Sequence, residues 1–181
     1  ASIEGITKHI PSYYGLQISE EINALKKITS EIKKPVTLVI GGSKISTKIK
    51  IINNLAKKFN NIVIVGGMAN TILKHTGIKV GKSICENNCG SLIKEIIDIS
   101  EKFNCKIICP EDVVVSKNIE GLGKNKDIKE INDDEMILDI GPKTISLIQK
   151  IVNSSNTVLW NGPAGYFENP HFQNGTKQIL E

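Results

Sequence analysis

The sequence predicts an α/β protein, with a mostly parallel sheet carrying helices on both faces in three layers. Three observations carry that reading. Five short, β-branched and nearly continuous apolar runs recur: VTLVIGG (36–42), NIVIVGG (61–67), CKIICPEDVVV (105–115), EMILDIGP (135–142) and TVLWNGP (157–163). Strands buried on both faces of a parallel sheet have this composition. Segments with apolar residues at helical spacing lie between the runs. Finally, four of the five runs end in a glycine-containing turn: Gly41-Gly42, Gly66-Gly67, Gly141-Pro142 and Asn161-Gly162-Pro163.

In chain order, residues 1–19, with Pro11 and Tyr13-Tyr14, are expected to be a connector from a preceding domain, and residues 20–181 one domain. The chain starts at Ala1 without a methionine and ends at GTKQILE within a helical pattern, so a piece of a longer protein is expected. Ile22, Leu25, Ile28 and Ile32 predict a helix over 20–32. The first strand run follows. Then Ile49, Ile52, Leu55 and Phe59 predict a helix over 46–59, with Ser46 and Thr47 as candidate N-caps. After the second strand run, SLIKEIIDISEKF predicts a helix over 91–103. The third run is expected to be one strand. Residues 116–134 are polar and contain Gly121 and Gly123, as an irregular excursion or hairpin would. The fourth strand run, a helix over 143–155 and the fifth strand run complete the pattern. There is no internal repeat and no low-complexity tract.

Composition excludes several function classes. Hydrophobic residues are 40% and charged residues 23%, an ordinary soluble balance. Formal net charge is +4, and every basic residue is lysine. Aromatics are only 4%, and no basic run interleaves with them, so no nucleic-acid surface is expected. No apolar stretch is long enough to span a membrane. The N-terminus lacks a charged-then-apolar secretion pattern, and a cytoplasmic location is expected. The four cysteines form two C-x3-C pairs, Cys85 with Cys89 and Cys105 with Cys109. Zinc sites tolerate that spacing. A strand separation of four residues, however, spans about 13 Å, too far for two thiols to share one metal. Reduced thiols and no metal site are expected.

The stretch VIGGSKISTKIK (39–50) holds the chemistry. In open α/β sheets, ligands bind just outside the ends of parallel strands, where glycines let backbone approach them closely. Gly41 and Gly42 expose N–H groups, the following helix presents its positive end, and Lys44 and Lys48 lie four residues apart. Two ammonium groups on one side repel unless an anion lies between them. A phosphate is the expected anion, although neither G-x-x-x-x-G-K-[ST] nor G-x-G-x-x-G is present.

GGSKISTK, VGGMANTILKHTGIKVGKS, DEMILDIGPKTI and VLWNGPAGYFE, in that order and at that spacing, resemble phosphoglycerate kinases. The resemblance runs from about Ile3 to the end. It implies the nucleotide-binding, Rossmann-like half of an enzyme that moves a phosphoryl group between 1,3-bisphosphoglycerate and ADP with magnesium. It implies that Lys48 binds nucleotide phosphates and that Lys44 follows the transferring group. Gly41, Gly42, Gly66, Gly67 and Gly141 become walls of the adenine and ribose slot. Asn161, Gly162 and Pro163 contact the nucleotide, and Glu168 holds the ribose hydroxyls. Ser43 and Thr47 stand where many members have Ala and Asp. The family's Gly-Gly-Gly-Asp loop on the magnesium side is absent from the 181 residues, as is the arginine-rich 3-phosphoglycerate site expected on another domain. The chain alone is therefore expected to be inactive, with magnesium held mainly by nucleotide and by that loop, and the whole protein to be a monomer. Two other readings stand beside this one: a free-standing nucleotide- or anion-sensing domain, and an α/β interaction module whose glycine turns are structural.

Overall fold

The computed structural model describes residues 4–30 and 32–181, with residues 27–30 as backbone only. They fall into two compact units, Ala1–Lys33 and Lys34–Glu181. The first unit holds a 3-10 turn, Ile6–Lys8, and helix α1, Leu16–Ser30. Helix α1 starts four residues before the expected Glu20, and Ser19 N–H already donates to Gly15 O at 3.1 Å. Residues 1–3 of the expected connector, Glu31 and the side chain of Ile28 lie outside what is described.

The second unit carries, in order, β1 (Val36–Ile40), α2 (Ile49–Ala56), β2 (Asn61–Ile64), α3 (Gly66–His75), α4 (Gly90–Phe103), β3 (Lys106–Ile108), β4 (Asp112–Ser116), β5 (Lys124–Asp127), β6 (Met136–Ile140), α5 (Pro142–Asn153), β7 (Thr157–Asn161) and α6 (Asn174–Leu180). Four strands form the expected parallel sheet, in the order β3-β2-β1-β7. All five residues of β1 are buried, as continuous apolarity requires of a central strand. Val39 and Val63 pack on one face with Ile145 and Ile148 of α5 and Ile179 of α6. Their neighbours Leu38, Ile40, Ile62 and Ile64 point to the other face and are also buried. Helices α2 and α4, which touch each other, bury Ile52, Ala56, Ile93 and Ile96.

The structure departs from expectation in four places. The run 105–115 is two strands, not one. Pro110 cannot donate to a ladder, so the chain leaves the parallel sheet after β3 and enters a second sheet as β4. That sheet has the order β5-β4-β6, with both pairings antiparallel. The run 135–142 therefore belongs to it, and Gly141-Pro142 does not close a strand of the parallel sheet. The polar excursion 116–134 supplies β5, the hairpin partner of β4. Helix α2 begins at Ile49, preceded by turns at 45–48, and neither Ser46 nor Thr47 caps it. Lastly, residues 66–75 form a helix that follows β2 with only Val65 between. Gly66-Gly67 masks its start, but Met68, Ala69, Ile72 and Leu73 line one buried face.

Candidate functional site

The connections from β1 run to β2 and then β3 on one side, while β7 arrives later on the other. The ends of β1 and β7 thus form a topological switch point, the usual ligand edge of an open α/β sheet. Gly41 N–H donates to Asn161 O at 2.8 Å there. A Cβ on Gly41 would lie 2.1 Å from Pro163 O, so only glycine lets the two strand ends close together. Lys48 donates from Nζ to Asn161 Oδ1 across the same junction.

The loop between β1 and α2 is pinned at three points. Gly42 O accepts from Met68 N–H at 2.9 Å, in the first turn of α3. Ile45 is fully buried and acts as an apolar plug between the two lysines. Ser46 donates to the Glu86 carboxylate from its N–H (3.0 Å) and its hydroxyl (2.5 Å). Those Ser46 contacts hold the Glu86 carboxyl below the usual carboxylate range, with a smaller pull from Lys44. Lys44 and Lys48 thus have different neighbours: Lys44 is exposed beside Glu86, and Lys48 reaches Asn161. Thr47 Oγ1 donates back to Lys44 O.

Beside this loop lies a cavity of about 490 Å³, a size suited to a small ligand. Gly42, Ser43, Gly66, Gly67 and Asn70 form one wall. Residues Met136 to Ile140 of β6 form another, with Ile84 and Val113 adding apolar surface. Pro163, Ala164, Gly165, Tyr166 and Glu168 close it from the turn after β7. Glu168 is exposed and also lines an adjoining open groove with Glu120, Tyr166 and His171.

Asp139 is the one acid of the β6 wall, and its residue is 2% exposed. Its carboxylate accepts from Ile140 N–H at 2.9 Å and Gly175 N–H at 2.8 Å. Burial pushes its pKa up to about 6, against the pull of those two amides. A Cβ at Gly165 or Gly175 would meet this carboxyl, at 2.5 Å and 2.4 Å respectively. Asp139 therefore ties β6 to the start of α6, and Gly165 of the cavity turn packs closely against it.

Of the residues singled out in the sequence, Gly42, Gly66, Gly67, Pro163 and Glu168 line the cavity. Gly41, Lys48, Asn161 and Gly162 cluster at the adjoining switch point. Lys44 sits on the loop between them. Gly141 is not in the cavity lining. Its missing side chain makes room for Asp112, whose carboxyl would be 2.4 Å from a Cβ there. That carboxylate instead accepts from Lys143 N–H and Thr144 N–H and caps α5. Sequence reasoning missed Asn70, Ile84, Tyr166 and the β6 wall. The signal for Asp139 was present, as a lone acid inside the apolar run EMILDIGP. Among the described residues no group of three or more His, Cys, Asp or Glu could hold a metal ion, and all four cysteines are free thiols. Burial pushes the Cys105 thiol up to about 11. No described helix is long and apolar enough to cross a membrane.

The family model described as phosphoglycerate kinase matches residues 1–181. A phosphoglycerate kinase of Wolbachia pipientis subsp. Culex pipiens (strain wPip) is 42% identical over 181 residues, covering 99% of this chain and 46% of the relative. One from Maricaulis maris (strain MCS10) is also 42% identical, over 100% of this chain and 45% of its own length. The chain thus spans about half the length of the curated relatives it matches. The solved structure of phosphoglycerate kinase from Coxiella burnetii superimposes with a TM-score of 0.86 at 35% identity, over 91% of this chain and 43% of that one. The phosphoglycerate kinase from Pyrococcus horikoshii OT3, at 24% identity and a TM-score of 0.76, shares the fold.

Proposed function

The chain belongs to the phosphoglycerate kinase family, and on that premise we propose that residues 20–181 are its nucleotide-binding domain, with ADP or ATP held at the β1–β7 edge within the unit Lys34–Glu181. Residues 1–19 serve as the connector from another domain. The observation that carries this reading is the juxtaposition at the switch point: an apolar cavity walled by Gly42, Gly66 and Gly67 opens beside a loop carrying two lysines. The base fits the apolar wall of β6, Ile84 and Pro163. The phosphates lie toward Gly42 and the loop, where Lys48, already oriented by Asn161, offsets their charge. Gly41 and Gly162 keep the two strand ends close enough for one ligand to span them. Glu168, outside the lysine loop, accepts hydrogen bonds from ribose hydroxyls.

In the whole protein this domain presents ADP to 1,3-bisphosphoglycerate, bound on a second domain. The ADP β-phosphate oxygen attacks the phosphorus of the acyl phosphate, the bond from that phosphorus to the acyl oxygen breaks, and ATP forms as the 3-phosphoglycerate carboxylate leaves. Such transfer is catalysed mostly by positioning and charge neutralisation. Lys44, exposed on that loop, follows the migrating group. Magnesium in this reaction neutralises phosphate charge. The loop residues do not supply a carboxylate set for it, since Glu86 is engaged by Ser46 and position 47 is threonine. No magnesium ligand is therefore assigned within this chain. The whole protein acts as a monomer in the cytoplasm.

The test is calorimetric titration of the chain with ADP, with and without magnesium, beside an assay for ATP formation from 1,3-bisphosphoglycerate. Saturable one-to-one binding without turnover is expected, because the 181 residues contain no arginine to clamp the donor and no Gly-Gly-Gly-Asp sequence. Turnover by the purified chain, or no binding at millimolar ADP, would contradict the reading.

A further inference from the structure

We infer that Glu86 is a positioning residue that sets the lysine loop for nucleotide phosphates by gripping Ser46. The inference rests on the nucleotide reading above and goes beyond it, because Glu86 does not line the cavity beside the loop.

A carboxylate beside Lys44 is unexpected where a polyphosphate must bind, since like charges repel. Its contacts explain its presence. Both carboxylate oxygens are used: Oε2 accepts from Ser46 N–H at 3.0 Å and Oε1 from Ser46 Oγ at 2.5 Å. Glu86 is itself fixed by α3. Its N–H donates to Thr71 Oγ1 at 3.0 Å, and that hydroxyl donates to Gly67 O at 2.9 Å. Two residues earlier, Ile84 O accepts from Asn70 Nδ2 at 3.1 Å, and Ile84 faces the cavity. Helix α3 also holds the front of the loop, through Met68 N–H to Gly42 O. One rigid helix therefore grips the loop at both ends, at Gly42 directly and at Ser46 through Glu86. Lys44 lies between the two grips, and Lys48 begins the next turn.

With Ser46 committed to Glu86, its hydroxyl and amide are not phosphate ligands. Their role is to fix the backbone from which the lysines project. Without the grip, Lys44 and Lys48 would have to be ordered when the nucleotide binds, and affinity would fall by that entropy. The remaining repulsion between Glu86 and phosphate is screened by solvent and salt. Positioning therefore outweighs repulsion, which fixes the sign of the test.

The test is a double-mutant cycle with Glu86→Gln and Ser46→Ala, read by calorimetry with ADP and with adenosine, and by amide hydrogen exchange over residues 43–48. Each single variant is expected to weaken ADP about threefold to fivefold, the range for an exposed charge-assisted contact. Adenosine should be unaffected. The double variant should lose less than the product of the two single losses, because both substitutions weaken the same contact. Exchange at Ser46 should accelerate in Glu86→Gln. The inference is overturned if Glu86→Gln tightens ADP or leaves it unchanged, weakens adenosine equally, leaves exchange at Ser46 unchanged, or multiplies with Ser46→Ala. If the wild-type chain binds no ADP while Glu86→Gln still accelerates exchange, the nucleotide reading fails, and the grip is structural only.

Discussion

Lys48 donates a hydrogen bond from Nζ to Oδ1 of Asn161, 113 residues away in sequence. The contact joins the loop after β1 to the end of β7, the two strands that border the switch point. A lysine so held is preorganised for an anion, since its side-chain freedom is already reduced before a ligand arrives. Replacing Lys48 with alanine should therefore weaken ADP by about tenfold or more, the scale of a charge-assisted contact. Adenosine, which lacks phosphates, should bind nearly as before. Calorimetry with both ligands checks this, and equal losses would remove the phosphate role.

Glu168 lies at the other rim, on the turn after β7 and against the open groove. If it reads ribose, Glu168→Gln should weaken ADP and adenosine by similar factors. A 2′,3′-dideoxy nucleotide should then bind wild type and variant alike. Tighter ADP binding in the variant would mean that Glu168 acts only as a repelling charge.

Asp139 sets a dependence of stability on pH. Its folded pKa of about 6 lies above its ordinary 3.8, so the native state holds the proton more firmly than the unfolded chain does. The corresponding stabilisation is complete below about 3.8 and is lost as pH rises through about 6. Its size is on the order of 2–3 kcal/mol. Urea unfolding of wild type and Asp139→Asn at pH 4 and pH 7 isolates this group. Wild type should lose more stability than the variant between those values, whereas parallel profiles would show that Asp139 titrates normally.

The close contact of strand ends at Gly41 is a steric matter. With a Cβ 2.1 Å from Pro163 O, Gly41→Ala must move backbone rather than a flexible side chain. A loss of about 3 kcal/mol is expected, with weaker ADP binding because the β1–β7 junction widens. Thermal unfolding measures the first effect and calorimetry the second. An alanine variant as stable as wild type would show that the junction is not tightly packed.

The parallel sheet was legible because β1 and β2 are buried on both faces, and double burial writes continuous apolarity into a strand. The same cue misplaced β6. Met136, Ile137 and Leu138 are only half-buried, and their apolarity belongs to the cavity they line. Composition does not distinguish a wall for a ligand from a wall for a helix. Helix α3 was hidden by Gly66-Gly67, which read as a turn. The lysine loop was legible as a candidate because a glycine pair at a strand end is a local signal. The grip of Glu86 on Ser46 had no local signal, since 40 residues separate them and an acid at position 86 looks like any surface acid. Asp112 beneath Gly141 was hidden for the same reason: the glycine is visible in the sequence, and the carboxyl it accommodates comes from another strand.

The most direct measurement is an amide chemical-shift titration of the chain with ADP, compared with adenosine. ADP should move Gly42, Gly66, Gly67, Ile84 and the β6 wall, together with Ser43 to Lys48 and Asn161. Adenosine should move the cavity set and leave the loop set nearly still. Shifts confined to other surfaces, or no saturable shift at millimolar ADP, would contradict a nucleotide site at the β1–β7 edge.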